Sequence, residues 1–454
     1  MSAAHIERRR KLMQKLRGTA VLIAAGARVP RNYRANTYPF RASSHFLYLV
    51  GRPIENAMLL LSDGDATLFV PERTTDDALW DGPGLANEEL ATLTGCKVRT
   101  LEHLQDALHG RALATLAASD TITRDEQSRL LARAIAPLTY SKEDEALADA
   151  MIELRLVHDA QAIEELRRAA ATTELAHRAG MSATRAGVRE SDVRAAMEHP
   201  ILADGGATAY GSIVTVHGEV LHSNDYDGTL AAGDLLLADV GAESVGGFAG
   251  DVTRTWPVSG RFSPSQRAYY EVVLRAQKRA IEAVKPGARY LDVHLLASTE
   301  LVKGLCELGV LRGDPSELIA EGVQALFFPH GIGHLLGLDV HDMEDLGDRA
   351  GYAKGRTRSK QFGLCYLRLD RDLVPGMAVT IEPGLYHVPA IFSHPELSKL
   401  VAKHVNQTEL KKYSDVRGIR IEDDVLVTQT GHEVLTRAIV KEAGDVERAV
   451  GAQS

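Results

Sequence analysis

Cysteine is nearly missing from this 454-residue chain, which has three: Cys96, Cys306 and Cys365. They are far apart and odd in number, which argues against a disulfide framework or a cysteine-built zinc site. Long apolar runs are missing too. Segments such as residues 57–61 are far too short to span a bilayer. The opening stretch MSAAHIERRRKLMQKL is charged and lacks the apolar centre of a secretory signal. No membrane association and a reduced, cytoplasmic compartment are the expectation. Positive charge is in deficit, with 52 Lys and Arg against 61 Asp and Glu, a net charge of −9. That balance disfavours a general nucleic-acid binder and leaves cation binding open. What remains is ordinary for a globular protein: 45% hydrophobic and 25% charged residues. Global disorder is excluded, and the length suits two domains with a large core.

The first third alternates short strands and helices. Residues 20–24 read as a strand, and 57–61 and 66–70 as two more around the turn Ser62-Asp63-Gly64-Asp65. Helical patterns follow around Leu101–Leu108 and Asp125–Ile135. A domain boundary is placed between two charged helical stretches, giving an α/β domain over 1–157 and a second domain over 158–454. In the second, Ser263-Pro264-Ser265-Gln266 reads as a capping box with Pro at the first helical position. The apolar face Tyr270, Val273, Leu274, Ile281 and Val284 follows, and Lys285-Pro286-Gly287 stops the helix. Strands are expected at 235–238, 252–257, 378–381 and 424–428.

Asp239, Asp251, His334, Glu382 and Glu422 stand at strand ends or among glycines. A carboxylate flanked by apolar strand residues is costly to bury unless something pairs with it. Arg254 and Arg420 are the local cations, too few for four acids. Two divalent cations would balance four carboxylates, with an imidazole as a neutral ligand, and an oxygen-rich set suits Mn²⁺, Co²⁺ or Zn²⁺. Taken singly, each acid is equally a turn or cap residue. His330, His334 and His341 cluster within one Gly- and Leu-rich stretch, and His222 precedes Asp239. A structural or pH-sensing histidine cluster is the alternative on spacing alone.

The segments AGDLLLADVGAE, GFAGDVTRTWP, FFPHGIGHLLGLDVHD, PGMAVTIEPGLY and RGIRIEDDVLVT resemble, in order, the pita-bread metallopeptidases, and within them the proline-specific branch of aminopeptidase P and prolidase. NTYPFRASSHFLYLVG resembles that branch's non-catalytic N-terminal domain. The resemblance implies an α+β chain: a small α/β domain, then a pita-bread catalytic domain. It implies two metal ions, Mn²⁺ by family expectation, held by Asp239, Asp251, His334, Glu382 and Glu422, with Asp251 and Glu422 bridging. Glu382 matches the position that moves protons for the attacking hydroxide. His222, His330 and His341 match histidines that orient substrate, and Arg420 a substrate-side arginine. Arg420 and Glu422 are two apart, so a continuous strand would point both to one face. Asp423 and Asp424 are expected to be solvated or paired with surface cations.

Asp239 and Asp251 lie 12 residues apart, one more than the family spacing. A turn at Ser244-Val245-Gly246-Gly247 would absorb the extra residue, whereas within a strand it would flip Asp251 to the wrong face. The implied activity is hydrolysis of Xaa-Pro bonds. An aminopeptidase that removes the first residue of longer peptides is preferred. The alternative is a prolidase that splits dipeptides, because Arg368 matches an arginine that holds a dipeptide carboxylate; pairing of Arg368 with Asp370 or Asp372 is its plain structural reading. A metal-free binding protein or creatinase-like hydrolase of the same fold is the remote alternative. Trp80 resembles an aromatic that approaches a neighbour's site in family oligomers, here a dimer or tetramer; otherwise it is a partly buried packing residue.

Overall fold

The computed structural model describes residues 3–451, which form two compact units. The first comprises Met1–Asp159 with the short segment Asp345–Gly347; the second comprises the rest. Among the described residues, no helix is long and apolar enough to cross a membrane.

The first unit is built on a five-stranded sheet. Its strands are β1 (Ala20–Ala24), β2 (Met58–Ser62), β3 (Asp65–Val70), β4 (Lys97–Thr100) and β5 (Leu113–Thr115), in the order β4-β3-β2-β1-β5. The first three run antiparallel to their neighbours, while β4 and β5 add in parallel. The β2–β3 hairpin closes on Asp63 and Gly64, both with positive φ, as a two-residue turn between right-twisted strands requires. Leu22, Met58, Leu60, Phe69, Leu104 and Leu108 form its core. The helix expected at 125–135 runs instead over Thr121–Leu130. Asp120 caps it through Thr123 N (2.7 Å), and Ala132, at φ 49°, turns the chain away from it. Trp80 is 81% exposed, which corrects the reading of a partly buried packing residue: its short helix Thr75–Asp81 buries no side chain.

In the second unit, helix α1 (Ala160–Ala183) packs on α2 (Glu190–Ala203), and α3 (Pro264–Ala283) on α4 (Tyr290–Glu307). The capping box at the start of α3 is present: Ser263 Oγ accepts from Gln266 N (3.1 Å) and Gln266 Oε1 from Ser263 N (2.9 Å). Tyr270, Val273, Leu274, Ile281 and Val284 are buried as expected. Ser263→Ala should lower stability by about 1 kcal/mol, as loss of a helix cap does, read from the denaturant midpoint.

The strands that carry the site are short. Strands β6 (Ile213–Thr215), β7 (Leu235–Asp239) and β8 (Thr253–Pro257) form one antiparallel sheet, ordered β8-β7-β6. Strand β9 (Ala378–Ile381), β12 (Asp423–Val427) and β13 (His432–Val434) form a second, ordered β9-β12-β13. Strands β10 (Gly384–Tyr386) and β11 (Gly418–Arg420) form an antiparallel pair. The β7–β8 register is unbroken from Leu235↔Pro257 to Asp239↔Thr253. The additional residue between Asp239 and Asp251 therefore lies in the connection from β7 to β8, which also holds the two-residue strand Ala242–Glu243, paired with Ala207–Thr208. The same connection contains the Ser244–Gly247 turn, closed by Gly247 N to Ser244 O (2.8 Å).

Candidate functional site

Asp239 is the last residue of β7, and Asp251 lies two residues before β8. The connection between them passes Gly241, where a side chain is impossible: a Cβ would lie 1.9 Å from Gly250 O. Asp251 is turned inward by its own N–H, which donates to the Asp424 carboxylate (3.1 and 3.3 Å).

His334 lies on the segment beside β9, and Glu382 directly follows that strand. Thr380 N donates to His334 O and His334 N to Thr380 Oγ1, both at 3.1 Å. Glu382 N donates to Ile332 O (2.8 Å). Gly333, at φ 152°, lies where a Cβ would meet Thr380 O at 2.3 Å. The His334 ring faces Leu335 O through Nδ1 (3.0 Å). A carbonyl only accepts, so Nδ1 carries the proton and Nε2 faces Asp251 (3.3 Å) and Glu382 (3.7 Å). A metal-ligating histidine is commonly oriented this way, donating its other ring N–H to a carbonyl.

Glu422 follows β11. Its N–H donates to Thr253 O (3.0 Å) and its Oε2 accepts from Thr253 Oγ1 (2.6 Å). Asp251, His334 and Glu422 each offer one ligand atom, all within 4.8 Å of one another. All three are buried, as is Asp239, while the Glu382 side chain is 16% exposed.

A guanidinium serves this set. Arg420, 4% exposed, donates from Nη2 to Asp239 (2.5 Å), from Nε to Thr253 Oγ1 (2.8 Å) and from Nη1 to Tyr386 OH (3.2 Å). Tyr386 OH in turn meets His330 Nε2 (2.9 Å), whose Nδ1 donates to Gly331 O (2.8 Å) and lies 3.6 Å from Glu382. Tyr210 OH donates to the other Asp239 oxygen (2.5 Å). The remaining negative charge is only partly compensated, by His334 beside Asp251 (3.3 Å). Burial, aided by neighbouring Asp251 and Asp239, pushes the Glu382 carboxyl up to about 7. Burial and the same crowding raise Asp239 and drive Glu422 well above the usual carboxylate range. Burial pulls His334 down, but the Asp251 carboxylate outweighs it and carries the imidazole to about 9. Four carboxylates and an imidazole that protonates to offset them are the donor set of a divalent-cation site.

The other expected residues lie nearby. His341 lies against His334, with ring centroids 4.1 Å apart and the planes tilted by 58°, and meets Glu344 at 3.4 Å. Exposed His222 lies within electrostatic reach of Arg420, Asp239 and Arg368. Three expectations are corrected. Arg368 pairs with Glu344 (2.6 Å) rather than with its neighbours. Asp370 is taken by Arg289 and Arg356, and Asp372 by Arg356. Asp423 and Asp424 are buried, at 0% and 1% exposure. They occupy the middle strand of a three-stranded sheet, covered on both faces. Asp423 pairs with Arg254 (2.8 Å) and Lys441, and Asp424 holds the backbone of Asp251. Arg420 and Glu422 are not on one strand, because β11 ends at Arg420; Thr253 nevertheless joins them.

Sequence reasoning missed Tyr210, Thr253 and Tyr386. Thr253 was within reach, since it stands two residues after Asp251 in extended chain, the spacing that returns to one face. Tyr386 lies inside the quoted TIEPGLY motif. Tyr210 carries no local signal.

The chain matches two family models: metallopeptidase family M24 over residues 164–429, and the aminopeptidase P N-terminal domain over residues 5–117. It is 32% identical to the Xaa-Pro aminopeptidase of Escherichia coli, covering 97% of this chain and 96% of that one. It is 33% identical to a probable Xaa-Pro aminopeptidase of Fusarium vanettenii, covering 91% and 88%. Among solved structures, the Pseudomonas aeruginosa aminopeptidase PepP superposes with a TM-score of 0.83 at 30% identity, covering 99% of this chain and 97% of that one. The Escherichia coli aminopeptidase P with the inhibitor Pro-Leu superposes at 0.81 and 29% identity, covering 100% and 99%.

Proposed function

The chain belongs to metallopeptidase family M24, and on that premise we propose that Asp239, Asp251, His334, Glu382 and Glu422 hold two divalent cations for the hydrolysis of Xaa-Pro bonds. The activity is that of an Xaa-Pro aminopeptidase. It releases the first residue of a peptide whose second residue is proline. Mn²⁺ is the ion we place first, with Zn²⁺ and Co²⁺ suited to the same ligands. The observation that carries this reading is the convergence of four carboxylates and His334 on a region where, among the described residues, Arg420 is the one guanidinium paired with them.

Proline has no N–H and a fixed φ. A peptidase that must hydrogen-bond or rotate the peptide at that residue fails on it. When bound, the cations supply Lewis acidity toward the scissile carbonyl and the attacking water. The rest is done by the chain. Glu382, 3.6 Å from His330 and 3.7 Å from His334, is placed to take a proton from the water and return it to the proline nitrogen. His330 is held neutral, near 3, by burial and by Arg420, so it donates or accepts hydrogen bonds without adding charge. Arg420 and Tyr386 align it. His341 and His222 border the same space and shape the pocket for the ring.

Stripping the purified protein with a chelator should abolish cleavage, and adding back Mn²⁺ should restore it. Offered an Xaa-Pro-Xaa-Xaa peptide and an Xaa-Pro dipeptide side by side, the restored protein should release the first residue of the longer one, read by mass spectrometry. No cleavage with Mn²⁺, Zn²⁺ or Co²⁺ would sink the peptidase reading. A second reading, prolidase, is favoured by one observation: the Arg368 guanidinium lies within electrostatic reach of both His222 and His341, a suitable place to hold a dipeptide's free carboxylate. Cleavage of the dipeptide alone would establish it.

A further inference from the structure

Two turns of helix α1 lie against the loop that connects Asp239 to Asp251. Thr173 Oγ1 accepts from Ala242 N (3.0 Å), and a Cβ on Gly250 would meet that same oxygen at 2.9 Å. One turn on, His177 is fully buried, and its Nε2 lies 3.1 Å from Val240 O and 3.1 Å from Val252 O. These are the carbonyls of the residues directly after Asp239 and Asp251. Both only accept, so Nε2 carries the proton and is shared between them. Val252 O already accepts from Val240 N (3.1 Å).

We propose that His177 is a positioning residue for the metal pair, its single N–H fixing the distance between the two backbone segments that present Asp239 and Asp251.

Two carbonyl dipoles converging on one point repel unless a donor stands between them. Each lies one residue from a ligand, about 3.8 Å along the chain, so a carbonyl that moves carries its carboxylate with it. A purely packing role is disfavoured by the other nitrogen: Nδ1 is buried with no hydrogen-bond partner. An apolar ring of the same shape would fill the space without that cost. The ring is also held in its plane. It meets Trp256 edge-on at 6.4 Å, and Trp256 Nε1 donates to Thr184 Oγ1 (2.9 Å), near the end of α1. Burial, aided by Arg254, keeps the imidazole down near 3, so it remains a neutral, one-proton donor at working pH.

This inference rests on the metal-site reading, and the test separates the two. Mn²⁺ binding to the full chain is measured by calorimetry, and the spin coupling of the pair by electron paramagnetic resonance. Failure of the native protein to bind Mn²⁺ would sink the underlying reading, whatever the variants do. If it binds two ions, His177→Phe is expected to weaken the second at least about tenfold, the scale for losing an outer partner of a metal site. The coupled signal should give way to that of isolated Mn²⁺. His177→Gln, which keeps an N–H, should recover binding to within about threefold of native on the same scale. Native affinity and coupling in His177→Phe, with only a lower melting temperature, would reduce His177 to a packing residue and overturn the inference. Should the Phe variant not fold, ¹⁵N NMR of the native protein decides. Exchange of the His177 Nε2 proton should slow on loading with Zn²⁺, and an unchanged rate would overturn the inference.

Discussion

Glu382→Ala is expected to lower kcat on an Xaa-Pro-Xaa-Xaa peptide by at least about 10³-fold. Loss of a positioned general base alone costs about 10²–10⁴, and this change also removes a ligand. The side chain lies between His334 (3.7 Å) and His330 (3.6 Å), with its carboxyl pushed up to about 7 by burial and by nearby Asp251 and Asp239. The residue that makes the site reactive also makes it costly. Removing one of several crowded carboxylates relieves their repulsion, so the metal-free variant should melt no lower than the metal-free native protein. Steady-state kinetics and a melting curve read both halves. Turnover within tenfold of native would remove Glu382 from the mechanism.

Asp423→Ala should have the opposite profile, a large loss of stability. Its carboxylate receives Arg254 Nη2 (2.8 Å), Gln277 Nε2 (2.7 Å), Thr436 Oγ1 (2.8 Å) and Lys441. Arg254 is itself fully buried and donates onward to the carbonyls of Thr253, Glu422, Ile439 and Val440. Breaking a buried pair by removing one partner leaves the other charge stranded, at a cost of about 3–5 kcal/mol. For a unit of this size, that is a fall in melting temperature on the order of 10 °C. Replacing Arg254 as well, with an apolar residue, should not recover the loss, because four carbonyls would each lose a donor. Burial raises the Asp423 carboxyl, but Arg254 and Lys441 outweigh it and hold it down near 2. A folded value below that of a free carboxyl, about 3.9, means the contribution is intact above about pH 4 and fades as pH falls toward 2. A melting temperature within 2 °C of native, a small fraction of the expected shift, would show that the pair is not structural.

The two aspartates and the ligands beside them mark the limit of what local pattern conveys. Strands 20–24 and 378–381 were legible to the residue, because a short apolar run between turn residues has few alternatives. The cap at Ser263 was equally legible, since its partner is three residues away. Asp239, Asp251, His334, Glu382 and Glu422 stood out because charge at an apolar strand end demands compensation, and the structure brings them to one region. Asp423 and Asp424 were misjudged as surface acids for want of one fact. A strand alternates faces, so two adjacent acids are both buried only when both faces are covered. That happens because β12 lies between β9 and β13. Gln277 reaches Asp423 from helix α3, and the Asp251 backbone reaches Asp424.

The sequence by itself determined the inventory: which side chains can bind a cation, which segments extend or coil, and where a turn can absorb a residue. These depend on interactions within a few positions of one another. The tertiary structure decided the partners. Arg420 is engaged by Asp239, 181 positions away, and His177 reaches the carbonyls of Val240 and Val252 across 63 and 75 positions. Whether a buried charge is neutralised by a guanidinium, a neighbouring amide or a metal depends on what the folded chain brings within about 3 Å. No periodicity along the chain encodes that distance.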